Sequence, residues 1–262
     1  MRTSGLDRAW RVFATALAFT CFGLGGVLLR VLYFPLLTLA VRDPQRRRLK
    51  ARAVIQHSFG AFIGLMRRLG LVTYQIEGRE RLDRAGLLIL ANHPSLIDVV
   101  FLISLVRNAD CVVRAGLFDN PVTGAPVRAA GYIRNNAGPA LLQACMDSLK
   151  VGANLVVFPE GTRSRVGEAL RFQRGAAQVA IRAGCNITPV TIQMRPLSLS
   201  KGMPWWRVPD RPMHFVIRVE EDIATAPFLE GAAGEQGRAA RLLTGHLQQY
   251  FSTIGGEPWT TH

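Results

Sequence analysis

The sequence predicts an α/β protein with a mixed, largely parallel central sheet that is covered by helices and preceded by an N-terminal apolar helical segment. Two observations lead to this prediction. From about residue 72 onward, strand-like apolar runs alternate with helix-like segments, an order typical of α/β folds. The runs GLLILAN (86–92) and NLVVFP (154–159) are almost continuously apolar, as expected for strands buried on both faces.

The N-terminal segment combines a strong positive charge with a long apolar run. Residues 1–52 carry ten Lys or Arg against two Asp, a net +8 of the chain's +14. Residues 12–29 contain no charge over 18 positions, and 31–41 form a second apolar piece. Eighteen residues lie near the lower limit for crossing a hydrocarbon core of ~30 Å. Basic residues flank this stretch on both sides, which favours contact with a membrane surface over nucleic-acid binding.

Two membrane geometries fit this segment. One is a re-entrant hairpin or interfacial anchor that bends near residues 30–35, and the other is a single tilted span over about 12–34. A cleaved signal peptide and a buried core helix are weaker alternatives, because the run is long and a basic block follows it. Both membrane geometries leave the body of the chain on the cytoplasmic face. We therefore expect residues 1–52 to be a membrane anchor and 53–262 a separate domain.

The body of the chain shows its elements in a regular order. A basic amphipathic helix over 45–69 ends at Gly70. The remaining elements comprise six strands, two bounded helices, a helix after Pro94, a terminal helix and an exposed loop. The strands cover 72–78, 86–92, 110–115, 154–159, 187–194 and 213–219, the helices 138–150, 173–183 and 232–252, and the loop 195–212.

Composition narrows the possible classes of chemistry. With 262 residues and 49% hydrophobic content, the chain can bury a sizeable core and is not a disordered protein. The four cysteines and five histidines show no metal-ligand spacing or disulfide framework. We therefore expect no metal site.

The stretch ANHPSLID (91–98) places a histidine and an aspartate at the end of a predicted buried strand. Pro94 suits the first turn of a helix, which would leave His93 outside the helix and put Asp98 in its second turn. The Asp98 carboxylate could then orient the imidazole and raise its basicity. A histidine at such a position is also often a helix cap or a packing residue, and the local pattern leaves both interpretations open.

Two further stretches could form an anion site. In VVFPEGTRSR (156–165), Gly161 allows close backbone approach, Thr162 offers a hydroxyl, and Arg163 offers a planar fork suited to phosphate. The alternative is a polar turn that contains an Arg–Glu pair. In LRFQRGAAQVAIRAG (170–184), basic Arg171 and Arg174 precede a helix start, where an anion is also favoured. These arginines could equally be solvated residues on a turn.

Taken together, NHPSLID (92–98), GYIR (131–134), FPEGTRS (158–164) and TPV (188–190) resemble the glycerolipid acyltransferase superfamily, in particular lysophosphatidic-acid acyltransferases. The order and spacing of these motifs match over roughly residues 70–220. The second motif departs from the family pattern, because Arg134 stands where an aspartate is usual and Asn135 where an arginine is usual.

The resemblance implies roles for individual residues. His93 resembles the family's general base and Asp98 its orienting partner, while Glu160, Gly161, Thr162 and Arg163 match the motif associated with the acceptor's phosphate. Arg134 falls in the second motif, also linked to the acceptor. The co-substrate would be acyl-CoA or acyl-carrier protein, with no metal or other cofactor.

The resemblance also implies a reaction. Residues 53–262 would form the catalytic domain, which would acylate a membrane lysophospholipid such as 1-acyl-sn-glycerol-3-phosphate to give phosphatidic acid. Acylation of an ornithine- or glycolipid-type acceptor, or non-catalytic binding of anionic lipid, remain alternatives at this point. Nucleic-acid binding is the least favoured.

Overall fold

A computed structural model describes residues 5–136, 138–164, 169–204 and 206–254. The strands within these residues are β1 Val72–Glu77, β2 Leu88–Ala91, β3 Ala109–Val113, β4 Ile133–Arg134, β5 Asn154–Val157, β6 Ile187–Arg195 and β7 Met213–Val219. The helices that precede and surround β1–β4 are α1 Gly5–Leu28, α2 Phe34–Ala40, α3 Pro44–Arg68, α4 Asp98–Leu105, α5 Gly116–Asp119 and α6 Gly124–Ala130. The later helices are α7 Pro139–Lys150, α8 Gly175–Ala183, α9 Ala226–Gly231 and α10 Gln236–Ile254.

The described strands form one mixed sheet in the order β1-β7-β6-β2-β5-β3-β4. All neighbouring strands are parallel except β6 and β7, which are antiparallel. This arrangement confirms the predicted mixed, largely parallel sheet with helices and an apolar N-terminal helix. In such sheets, ligands bind beyond the carboxyl ends of the parallel strands.

The central strands are apolar throughout because both of their faces are covered. In β2, Ile89 and Ala91 belong to one hydrophobic cluster with α3 and α4, whereas Leu88 and Leu90 belong to another with α7, α8 and α10. All four β2 side chains are buried. Alternate residues of one short strand therefore serve two cores, which explains why the sequence shows a continuous apolar run instead of alternation.

The N-terminal segment is helical from Gly5 to Ala40, and this helix is long and apolar enough to cross a membrane by length and composition. One predicted geometry was a hairpin that bends near residues 30–35. This prediction is wrong, because the chain does not reverse there. A π-helical turn at Leu29–Tyr33 joins α1 to α2 instead, and the chain reverses only at residues 41–43. There the Asp43 side chain caps α3 by accepting the backbone N–H groups of Gln45 and Arg46.

One side of the α1–α2 helix packs on the protein, and the other is exposed and apolar. Phe22 of α1 packs against Phe59 and Phe62 of α3 with ring centroids 5.9 and 4.8 Å apart. The large apolar residues that remain most exposed are Leu6, Trp10, Phe13, Leu24, Leu28, Val31, Leu32, Leu36 and Leu39. A contiguous apolar surface of this kind is typical of a membrane or protein contact.

Several element boundaries differ from the predicted ones. The terminal helix predicted over 232–252 is α10, which begins only at Gln236 because Ala233 and Gly234 adopt positive φ angles of 53° and 81° and separate it from the short helix α9. The predicted boundary between residues 52 and 53 lies inside α3, so the N-terminal segment and the body share one continuous helix.

A buried ion pair joins α3 to β3 of the sheet. Arg52 Nη2 lies 2.6 Å from Asp110 Oδ2, and both side chains are 4% exposed. Arg52 also donates to the Ala130 carbonyl and to Asn108 Oδ1, while the Ser148 hydroxyl of α7 donates to the same Asp110 carboxylate. Helices on both sides of the sheet therefore meet at one carboxylate.

We expect Arg52→Ala to lower the free energy of unfolding by about 3–5 kcal/mol, since it leaves the Asp110 charge buried without its partner. Denaturant unfolding of the detergent-solubilised protein measures this loss. Lys50→Ala, an exposed position two residues away on the same helix, is the matched control. A loss no larger than that of the control would contradict a stabilising role for the pair.

Candidate active site

His93 and Asp98 form a direct hydrogen bond at the carboxyl end of β2. His93 Nδ1 lies 3.0 Å from Asp98 Oδ2, with the histidine side chain 17% exposed and the aspartate fully buried. A carboxylate bound to Nδ1 requires the proton on that nitrogen, which leaves the Nε2 lone pair free. Nε2 has no hydrogen-bond partner among the residues described, and His93 lines the central cavity.

The loop around this pair differs from its predicted form. The helix does not begin at Pro94 but at Asp98, which is its first residue and not part of a second turn. The Asp98 carboxylate accepts both the backbone N–H and the hydroxyl of Ser95, each at 2.5 Å. These bonds hold residues 95–97 in a turn outside the helix, and Asp98 still reaches the imidazole.

Glu160 holds the backbone of His93. Its Oε1 accepts the His93 N–H at 2.9 Å, and its Oε2 accepts the Ser164 hydroxyl at 2.7 Å. The Ser164 N–H in turn donates to the His93 carbonyl at 2.8 Å. Burial raises the pKa of Glu160, opposed by the hydrogen bonds from Ser164 and His93. The imidazole also stacks on Phe158, with ring centroids 4.3 Å apart, so the FPEGTRS segment fixes His93 from two sides.

Arg163 is positioned by a loop that sequence reasoning interpreted as exposed. Its Nη1 donates to the carbonyls of Leu199 and Ser200 at 2.8 and 3.3 Å. The prediction of an exposed loop over 195–212 is wrong for residues 198–200, which are buried. They are buried because the Leu199 carbonyl also accepts the Leu96 N–H and the Ser200 hydroxyl donates to the Pro94 carbonyl.

A second arginine, which the sequence analysis did not single out, stands beside this motif. Arg114 Nη2 donates to Thr162 Oγ1 at 2.6 Å, and Arg114 lines the cavity together with Thr162 and Arg163. The pKa of Arg163 is lowered by burial and by the nearby positive charge of Arg114. Because two positive charges close together repel each other, binding of an anion between them is favoured. Because Arg114 directly follows β3, the strand-end rule for ligand sites could have identified it.

The structure does not bring Arg134 to the cavity. Its guanidinium lies 4.3 Å from the centroid of the Phe118 ring, and the neighbouring Asn135 lines the cavity instead. Gly161 has φ = 66°, a left-handed conformation that favours glycine and lets the 160–163 turn pass close to Gln173. His93, Asp98, Glu160, Gly161, Thr162 and Arg163 therefore converge at the carboxyl end of the sheet, whereas Arg134 lies over the Phe118 ring and does not line the cavity.

The cavity in front of His93 has a volume of about 1490 Å³, larger than the pockets of ~300–1,000 Å³ that hold most small ligands. Its walls are mostly apolar and come from both sides of the sheet. On one side they include Phe22, Phe59 and Phe62 of α1 and α3. His93, Thr162 and Arg163 are among the polar residues that line it, which suits a long apolar ligand with a polar reacting end.

Two cysteines that line the cavity are poorly suited to act as nucleophiles. Burial raises the pKa of the Cys111 thiol, and it raises that of Cys145 to about 12. A thiolate is therefore scarce at neutral pH. Among the residues described, no cluster of three His, Cys, Asp or Glu side chains could hold a metal ion. The chemistry that this geometry supports best is proton abstraction by His93 next to a bound anion.

The sequence of the chain is similar to those of known acyltransferases. The sequence model of the family described as Acyltransferase matches residues 73–193. The chain is 33% identical over 124 residues to a chloroplastic 1-acyl-sn-glycerol-3-phosphate acyltransferase of Arabidopsis thaliana, covering 45% of this chain and 35% of the relative. It is 30% identical over 149 residues to the 1-acyl-sn-glycerol-3-phosphate acyltransferase of Pseudomonas aeruginosa, covering 55% and 58%.

A solved structure shares the fold over almost the whole chain. The crystal structure of the 1-acyl-sn-glycerophosphate acyltransferase of Thermotoga maritima aligns with a TM-score of 0.69 and 21% sequence identity, covering 96% of this chain and all of the other. At this identity the likeness establishes the common architecture, including the N-terminal helical segment. The sequence matches, by contrast, span little more than a third of the chloroplastic relative and just over half of the bacterial one.

Proposed function

We propose that this chain is a member of the glycerolipid acyltransferase superfamily, to whose relatives its sequence is similar, and that it moves a fatty acyl group from a thioester to the hydroxyl of a lysophospholipid. The leading acceptor is 1-acyl-sn-glycerol-3-phosphate, the substrate in the names of the relatives. One observation carries the proposal: a carboxylate-oriented histidine opens onto a large apolar cavity beside two arginines. A base, an anion site and a lipid-sized space are the three elements that this reaction needs.

In the proposed reaction, the His93 Nε2 lone pair accepts the proton of the acceptor hydroxyl as its oxygen attacks the thioester carbonyl. Asp98 stabilises the imidazolium that forms, through the hydrogen bond to Nδ1. When the tetrahedral intermediate collapses, the carbon–sulfur bond breaks and His93 returns the proton to the departing thiolate. The acyl group passes directly from the sulfur of the donor to the oxygen of the acceptor. The reaction therefore needs no covalent acyl-enzyme intermediate.

The acceptor's phosphate would bind between Arg114 and Arg163, beside Thr162. Among the residues described, Arg163 Nε and Nη2 have no hydrogen-bond partner, because Leu199 and Ser200 engage only Nη1. Guanidinium–phosphate contacts are charge-assisted and geometrically specific. The phosphate would also relieve the repulsion between the two arginines and would position the acceptor's hydroxyl near His93.

We further propose that residues 1–52 dock the enzyme on a membrane, with residues 53–262 as the catalytic domain on the cytoplasmic face. The exposed apolar side of α1 and α2 and the basic residues on both flanks support this placement. Docking would give the lipid acceptor and the acyl chains direct access to the cavity, since α1 forms part of its wall.

A thioester-release assay with the purified full chain tests the function. Acyl-CoA and acyl-carrier protein are each combined with a panel of lysophosphatidate, other lysophospholipids, a glycolipid and an ornithine-type lipid acceptor. We expect the fastest release with lysophosphatidate, and product analysis should identify phosphatidic acid. Faster release with the ornithine-type lipid or the glycolipid would identify that lipid as the acceptor in place of lysophosphatidate. No release with any pair of donor and acceptor would refute the catalytic function.

The two arginines provide a separate prediction. We expect Arg114→Ala and Arg163→Ala each to raise the KM for lysophosphatidate ~10- to 100-fold, the cost of losing a hydrogen bond to a charged group. With an uncharged monoacylglycerol acceptor, the same variants should behave like the unmodified protein. Arg238→Ala, an exposed change on α10, is the control. Equal losses with both acceptors would contradict a phosphate site here.

A further inference from the structure

The cavity extends to both faces of the sheet, and its two parts differ in character. The part on the α1–α3 side is bounded by side chains such as Phe22, Phe59 and Leu65. The part on the other side lies against α7 and α8 and is bounded by Leu142, Val179 and other residues of these helices. His93 and Glu160 line the same cavity at the carboxyl edge that separates the two faces. A ligand can therefore reach His93 from two directions.

The part of the cavity between α7 and α8 has apolar walls and polar groups along its rim. The amides of Asn135, Gln173 and Gln178 line it together with the guanidinium of Arg182. The α1–α3 part has aromatic walls, and one of its walls is the helix whose outer side is exposed and apolar. Alkyl chains suit the α1–α3 part, whereas the α7–α8 part suits a linear group that carries amides.

Arginines continue along α8 from this rim. Arg174, Gln178 and Arg182 are spaced four residues apart, so they follow one side of the helix. Arg171 lies in the irregular segment that precedes the helix and is also exposed. Within the described parts of the chain, no carboxylate pairs with Arg171, Arg174 or Arg182. Gln178 and Arg182 of this series line the cavity, and exposed guanidinium groups beside it provide a binding surface for a phosphate.

These arginines are separate from the pair assigned to the acceptor. Arg114 and Arg163 are held by Thr162 and by the 199–200 carbonyls at the strand ends. A transfer between a phosphorylated acceptor and a thioester involves a second anion, because CoA and acyl-carrier protein both present the thioester on a phosphopantetheine arm. This arm is linear, contains two amides and ends in a phosphate. The α7–α8 part of the cavity offers side-chain amides and a guanidinium group, which are the matching kinds of partner.

We propose that the α7–α8 part of the cavity binds the phosphopantetheine arm of the acyl donor, with Gln178 and Asn135 facing its amides and Arg174 and Arg182 its phosphate. This assignment rests on the proposed function, since it names the donor site of the same reaction. The acyl chain then lies on the α1–α3 side, and the thioester carbon sits at the sheet edge in front of His93. The thiol released by the reaction leaves along the α7–α8 side.

The test compares Arg174→Glu/Arg182→Glu with the control Lys150→Glu/Arg238→Glu, which changes the net charge equally at exposed positions that do not line the cavity. Binding of CoA and of holo-acyl-carrier protein to the full chain is measured by calorimetry, without turnover. We expect the first pair to raise Kd at least ~10-fold, since it removes charge-assisted contacts to a phosphate. The control should keep the Kd of the unmodified protein.

Steady-state kinetics provide a second measurement. In the α8 variant, KM for the acyl donor should rise while KM for the lysolipid and kcat stay unchanged. An acyl-pantetheine donor without the phosphate should show no difference between variant and unmodified protein. Arg174→Gln/Arg182→Gln repeats the comparison if the charge reversal lowers the melting temperature.

The outcomes separate this proposal from the function on which it rests. An unchanged Kd and donor KM in both α8 variants, or a rise in lysolipid KM instead, would overturn the donor site. CoA binding that depends on α8, without acyl transfer to any acceptor, would support the donor site and refute the proposed transfer. An effect with acyl-carrier protein alone would identify the carrier protein as the source of the phosphate.

Discussion

His93→Ala is expected to lower acyl transfer ~10²- to 10⁴-fold, the usual contribution of a positioned general base. The imidazole is held by Asp98 on Nδ1 and by the Phe158 ring, so Nε2 has a fixed position at the cavity. The alanine variant should still bind membranes and should keep its KM for both substrates. The measurement is kcat from thioester release, with the melting temperature as a check on folding.

His57→Ala provides the matched control, because His57 is an exposed histidine of α3 whose hydrogen bond, among the residues that the structure describes, is to the Ala53 carbonyl of its own helix. Its activity should equal that of the unmodified protein. Asp98→Asn separates orientation from proton transfer, since an amide can donate to Nδ1 and favour the wrong tautomer. Full activity in both His93→Ala and Asp98→Asn would mean that the pair is structural.

The hydrogen bond between His93 and Asp98 could be predicted because its causes are local. A buried strand predicted to end at Asn92 and followed by Pro94 places His93 at the carboxyl end of the sheet, and Asp98 lies only five residues further on. The start of the helix was predicted too early, because Asp98 binds Ser95 and keeps residues 95–97 out of the helix. Proline can occupy a first helical turn but does not require one.

The contacts that fix the pair could not be predicted, because they join distant parts of the chain. Glu160 lies 67 residues from His93, and sequence spacing cannot show that its carboxylate meets the histidine N–H. Residues 198–200 stand in a segment rich in proline and basic residues, which is typical of an exposed loop. They are buried because Leu199 and Ser200 accept hydrogen bonds from Arg163.

This placement changes the role expected for Glu160. The resemblance implied contact with the acceptor, but the carboxylate bonds to the protein through both of its oxygens. A carboxylate would also repel the acceptor's phosphate. We therefore infer that Glu160 is a positioning residue, which connects the FPEGTRS segment to the backbone of the base. Arg163 and Thr162 of the same segment would serve the phosphate.

Glu160→Ala should consequently lower kcat about 10²-fold, because misplacing a catalytic group by about 1 Å can cost that much. The KM for lysophosphatidate should stay within about threefold of its original value, the pattern expected when no ground-state contact is lost. Glu160→Gln retains an oxygen that can accept the His93 N–H, so it should recover much of the rate. Initial-rate kinetics with varied lysophosphatidate separate kcat from KM.

Ser164→Ala removes only the partner of Oε2 and leaves the bond to His93 intact. Its kcat should therefore fall less than that of Glu160→Ala. A large rise in the KM for lysophosphatidate in Glu160→Ala, with kcat preserved, would show that the carboxylate binds the acceptor after all. Because the two roles change different kinetic constants, one pair of variants decides between them.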